Sequence, residues 1–105
     1  MNMKLNTLII LVEDEIREKM ELRKRLEENT TFSKIVPMEI KDVWYKIYDK
    51  SYEVNYEFLK ELKSFRGKEY HLGSSYKRYS RINELLFDMS MFLTDFYDIN
   101  EDIIL

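Results

Sequence analysis

The feature that most limits what this chain can become is how rarely it is interrupted. Pro37, Gly67 and Gly73 are its only proline and glycines. Proline removes a backbone donor and clashes with the preceding helical turn. Glycine costs about 1 kcal/mol in a helix interior, so helices stop at such places. Between them, apolar residues recur every three or four positions, the period of a helix with one buried face. The expectation is all-α: one helical domain over residues 1–105, an antiparallel up-down-up bundle of three long helices at about 3–28, 37–66 and 75–98.

In the first segment Leu5, Leu8, Ile9, Val12, Ile16 and Met20 form one stripe, continued by Leu26. Glu13–Arg17, Glu15–Lys19 and Glu21–Arg25 make favourable i,i+4 pairs on its outer face, and Asn29 is the expected end. The second segment starts at Pro37, in the first turn, where its missing N–H does no harm. Ile40, Val43, Trp44, Ile47, Ser51, Val54, Phe58, Leu62 and Phe65 fall within about 60° of one line along it, with Trp44 read as core. The third starts after Ser74 or Ser75, both good N-caps. Tyr79, Ile82, Leu86, Met89, Leu93 and Tyr97 make its stripe. Leu85, Phe92 and Phe96 widen that stripe to about 140°, the width of a helix that touches two others. The end from Asp98 is expected to fray, although Ile103, Ile104 and Leu105 are too apolar for a solvated tail. Long helices with short connections make a thin bundle, which leaves self-association through one face open.

Several chemistries are excluded by composition. The chain has no cysteine, which removes disulfides, thiolate metal sites and cysteine nucleophiles and fits a reducing compartment. His71 is its one histidine, and the acids are scattered over solvated faces, so no metal site is expected. Glycine-rich phosphate loops and serine nucleophile elbows are absent, so no cofactor is expected either. Leu5 to Val12 is apolar but runs into Glu13, Asp14 and Glu15, far short of the about 20 residues that a bilayer span needs. The expectation is a soluble cytoplasmic protein with no membrane partner.

Charge is distributed unevenly. The net charge is −3, but residues 60–81 carry +5 and residues 82–105 carry −6. The third helix therefore has bases on its first turns and acids on its last, opposite to what its macrodipole favours. For the acidic end, Arg23, Lys24 and Arg25 on the first helix are the expected neutralising neighbours. The basic end has only Glu61, Glu69 and the acids of Glu13–Glu15, two or three turns up, to offset it, so one pole is expected to stay positive. Arg66, Lys68, Tyr70, His71, Tyr76, Lys77, Arg78 and Arg81 are its candidate anion- or nucleic-acid-binding residues. Free N–H groups behind Ser74 and Ser75 would add to the attraction, and Tyr70 and Tyr76 are of the kind that stacks on unpaired bases.

A second candidate surface lies on the middle helix. Tyr45, Tyr52 and Tyr56 fall outside its core stripe, and tyrosine's apolar body and polar tip suit an interface. Phe87 and Met91 sit off the main stripe of the third helix in the same way. The leading expectation is a non-enzymatic binding protein that docks through these residues on another protein or nucleoprotein. Small acidic helical chains without alanine are similar in general character to phage and mobile-element proteins, including anti-CRISPR and other host-factor inhibitors. That resemblance implies an inhibitor or regulator, with the acidic end as a mimic of nucleic-acid charge in one form of it. The second expectation is a nucleic-acid-binding module using the pole at 66–81. A third follows from Arg66 and His71, whose R-x4-H spacing resembles the Arg-x(4–6)-His signature of HEPN-type ribonucleases. These are helical, usually dimeric enzymes, and the resemblance implies that Arg66 and His71 act on RNA.

Overall fold

The computed structural model describes residues 4–69, 71 and 73–104, and the bundle is all-α. Its elements are α1 (Leu5–Glu28), α2 (Thr30–Lys34), α3 (Met38–Ser64), α4 (Ser74–Tyr97) and a 3-10 turn over Glu101–Ile103. They form a rod of 50 × 22 × 21 Å. α3 is the spine: α1 and α4 run antiparallel to it and pack along it, with a cleft left between the two flanking helices. Among the described residues no helix is long and apolar enough to cross a membrane.

α1 buries Ile9, Val12, Ile16, Lys19 and Leu26, a seam spaced alternately three and four apart until Leu26, with partly covered Leu22 and Arg23 between. That seam corrects the expected stripe. Met20 is half exposed, and Lys19 stands in the seam instead, only 8% exposed. Lys19 Nζ donates to Glu15 Oε1 at 3.1 Å, and the Tyr79 hydroxyl donates to the other Glu15 oxygen. The charge is thus matched, and the methylene stem covers apolar surface as a hydrophobe would.

α2 was not expected. The Asn29 side chain accepts a 2.9 Å hydrogen bond from the Phe32 N–H, so the residue that ends α1 also caps a further turn. That turn drives Phe32 into the core, its ring 5.9 Å from Trp44 at 74°. The core has two apolar clusters. One holds Leu26, Phe32, Val36, Trp44, Tyr48, Leu86, Leu93 and Ile99; the other holds Ile9, Val12, Ile16, Phe58, Leu59 and Leu62. Each fully buried side chain of this size contributes about 1.5–3 kcal/mol. Between the clusters, Ser51 Oγ donates to Asn83 Oδ1 at 2.9 Å and Asn83 Nδ2 donates to Asn55 Oδ1 at 3.0 Å.

Three other expectations change. Gly73 is the N-cap of α4, so Ser74 and Ser75 are its first helical residues rather than caps. Asp98 takes a left-handed conformation (φ 57°), reverses the chain and sends Ile99 into the core, and the following 3-10 turn packs on α1. Finally, Val43, Leu85, Phe92 and Phe96 are exposed rather than core. α4 packs mainly along α3 and meets α1 only on one side, through contacts such as the Tyr79–Glu15 hydrogen bond, so its 140° apolar face, an estimate from about 100° per residue, is left partly uncovered.

Candidate functional site

The antiparallel topology gathers three helix ends at one pole: the start of α1, the end of α3 and the start of α4. Lys4, Asn6 and Thr7 of α1 and Arg66, Gly67 and Lys68 of the α3–α4 connection share a cleft of about 510 Å³. Gly67 has φ +77°, a conformation that side chains resist, and it turns the chain just after Arg66. Neither α1 nor α4 has a side-chain cap at its N-cap residue, Lys4 or Gly73, and neither has an acid in its first turn. Two positive helix ends therefore open at the same pole as the cationic side chains.

The cations there are Lys4, Lys60, Lys63, Arg66, Lys68, Lys77, Arg78 and Arg81, all exposed. Among the described residues only Arg78 has a carboxylate partner, Glu57 Oε2 at 3.4 Å, and both members of that pair are more than half exposed. Tyr76, also exposed, packs one side against Phe58 and Tyr79 with ring centres 6.0 and 6.4 Å away. Tyr70 lies outside the described residues. Arg66 and His71 sit in the connection rather than on a helix, and the His71 ring lies 5.7 Å from that of Phe65.

The tyrosines of α3 form a ladder from Tyr45 through Tyr48 and Tyr52 to Tyr56, and it faces α1. Tyr48 and Tyr52 stack 6.4 Å apart, and Tyr52 and Tyr56 stand 4.8 Å apart. The Tyr45 hydroxyl donates to Glu27 Oε2 at 3.0 Å, and the Arg23 guanidinium lies 5.1 Å over the Tyr45 ring and 5.2 Å over that of Tyr48. Tyr45 and Tyr52 are thus partly covered by their own molecule, and Tyr56 is the exposed member. The groove beside them, about 640 Å³, is lined by Met20, Arg23, Lys24, Glu27, Tyr48 and Asp49 among others. Its charges are mixed, so it attracts neither sign of ion strongly. Phe87 lines the smaller α1–α4 cleft with Ile104, half exposed, and Met91 is partly covered.

The ladder has a measurable consequence. Burial, and then the Glu27 carboxylate that accepts its hydrogen bond, push Tyr45 up to about 12 against the opposing charge of Arg23. Burial raises Tyr48, and the hydroxyl of Tyr56 raises Tyr52. Unfolded phenols ionise near 10, so above that pH the unfolded chain loses protons that the folded one keeps. Stability is complete below about pH 10 and falls as pH rises toward about 12. Thermal unfolding should show a lower midpoint at pH 11 than at pH 9, and Tyr45→Phe should flatten that slope.

At the opposite pole the expected compensation does not occur. Arg23 pairs with Glu27 at 3.4 Å and Asp49 at 3.6 Å, within α1 and α3. Among the described residues no ion pair reaches the acids of residues 82–105. The helix spacing alone could not show this, because it depends on the rotation of α1, which turns Arg23 onto the tyrosines. Sequence reasoning also missed Glu15, Lys19 and Asn83 as members of internal polar networks. The signal was available: a heptad phase through Ile9, Ile16 and Arg23 carries Lys19 inward. No protein-family model, curated protein or solved structure matches the chain.

Proposed function

We propose that the chain is a non-enzymatic binding protein whose working surface is the cationic pole, and that its ligand is a nucleic acid. One observation carries this reading: seven of the eight cations at the pole lack a carboxylate partner among the described residues. Unpaired side chains around two uncapped helix ends create a local positive field, whereas the rest of the molecule is acidic. Such a field binds phosphates and directs the acidic end away from them. Tyr76 supplies an aromatic face beside the charges, which suits an unpaired base. The alternative of docking on a host protein through Tyr45, Tyr52 and Tyr56 has less support, because the first two lie against α1.

Salt tests the proposal. Four or five phosphate contacts on a single strand imply that affinity falls roughly 100-fold between 50 and 200 mM salt. Fluorescence anisotropy with labelled single-stranded and duplex oligonucleotides should show this. Arg66→Glu with Lys68→Glu should weaken binding at least tenfold without changing the circular dichroism. The oligonucleotide should stay intact in the same mixtures, and cleavage that His71→Ala abolishes would favour the ribonuclease instead. Absence of binding at 50 mM salt would sink the nucleic-acid reading.

A further inference from the structure

We propose that a second copy of this chain covers the outer face of α4, the two helices lying antiparallel about a two-fold axis near Asp88 and Met89. The inference goes beyond the nucleic-acid reading and does not rest on it. Leu85, Phe92 and Phe96 are spaced seven and four apart, so they form one strip along α4, and they are 46%, 39% and 69% exposed. The rings of Phe92 and Phe96 stack on each other at 5.3 Å and 17°, and Tyr97 stands edge-on to both. Val43 is also exposed, on the side of α3 away from the tyrosines.

Charge complementarity says what covers it. Along one flank of the strip stand Lys77 and Arg81 toward the start of α4 and Asp95 toward its end, and none of the three has an ionic partner among the described residues. In an antiparallel two-fold pair the same flank of each helix meets its counterpart running the other way. With the axis near Asp88 and Met89, Leu85 lies opposite the copy's Phe92, and Arg81 opposite the copy's Asp95. The reversed polarity that is unfavourable within one molecule becomes attractive between two, and the opposed macrodipoles agree with it. A parallel pair would align the macrodipoles and turn this flank toward the copy's other flank, where Arg78, Ile82 and Met89 offer no acid to Lys77 and Arg81. The repulsive contacts are Asp88 beside its own copy near the axis and Glu84, on the same flank, beside the copy's Asp95, within reach of the Arg81 that meets it.

The strip supplies on the order of 300 Å² of apolar surface per copy. With its charged rim the pair reaches only the lower end of the range for specific interfaces, so the expected dissociation constant is micromolar.

Sedimentation velocity over a concentration series, without nucleic acid, should show a transition from the 12.9 kDa chain to twice that mass. Leu85→Glu with Phe92→Glu should leave a monomer of unchanged helicity, since both side chains are exposed. Arg81→Glu and Asp95→Arg should each weaken the dimer about tenfold, and the double swap should restore it. The two residues are about 21 Å apart along one helix, beyond reach of each other, so restoration can come only from contact between copies. A chain that stays monomeric at about 500 μM, hundreds of times above a micromolar constant, overturns the proposal. So does a dimer that survives the Leu85 and Phe92 changes, or a double swap that restores nothing.

Discussion

Trp44→Ala should remove about 3–5 kcal/mol of stability, a large share of what a domain of this size has. The indole is wholly buried where α2, α3 and α4 meet. Phe32 packs its edge against it at 5.9 Å, and Tyr48 stacks on it at 5.2 Å. Its Nε1–H donates to Ser90 Oγ at 3.0 Å, and that hydroxyl donates to the Leu86 carbonyl at 2.8 Å. Alanine would leave a cavity that three helices cannot close together, because α2 is held by its own cap on Asn29. The thermal midpoint should fall by roughly 15 °C or more. Ser90→Ala separates the two contributions. It keeps the ring but leaves a buried indole N–H without an acceptor, at about 1–3 kcal/mol. Denaturant titration followed by circular dichroism reads both. A loss below about 1 kcal/mol for Trp44→Ala would mean that the three-helix junction does not depend on the indole.

Where the helices lie could be read from the sequence because it rests on local chemistry. Pro37 and the two glycines mark both long connections, and the three-four spacing between them has no competing strand pattern. Which face of each helix points inward was legible only in part. Met20 and Lys19 are adjacent, and hydrophobicity alone puts the methionine inside. The fold puts the lysine inside because Glu15 waits one turn away and Tyr79 completes the pair from another helix. Leu85, Phe92 and Phe96 have core composition but no covering helix, a fact about how α1 and α4 divide the sides of α3 between them. The positive pole was legible from counting charge, since topology alone brings those residues together. The fate of the acidic end was not, because it turned on whether Arg23 faces α4 or the tyrosines.

The largest asymmetry between neighbouring positions is expected in the polar layer between the two apolar clusters. Asn83 is its hub: it accepts from Ser51 and donates to Asn55, both wholly buried. Asn83→Leu strands the Ser51 hydroxyl and the whole Asn55 amide at once, and should cost about 2–4 kcal/mol. Asn55 is different, since its Nδ2 already has no partner. Asn55→Leu removes that unsatisfied donor and orphans only the Nδ2 of Asn83, a half-buried residue that borders the α1–α4 cleft, where water can reach it. Its expected cost is below about 1 kcal/mol, with a gain in stability inside the range. Replacing all three together, Ser51→Ala with Asn55→Leu and Asn83→Leu, should restore most of what Asn83→Leu loses, because no buried polar atom of the layer then lacks a partner. The helices would lose the contacts that fix their register, and the amide resonances should broaden or double in a two-dimensional NMR spectrum even as the urea midpoint recovers. If Asn55→Leu proves as costly as Asn83→Leu, the Asn55 amide is fully paired in solution and the hub is not Asn83.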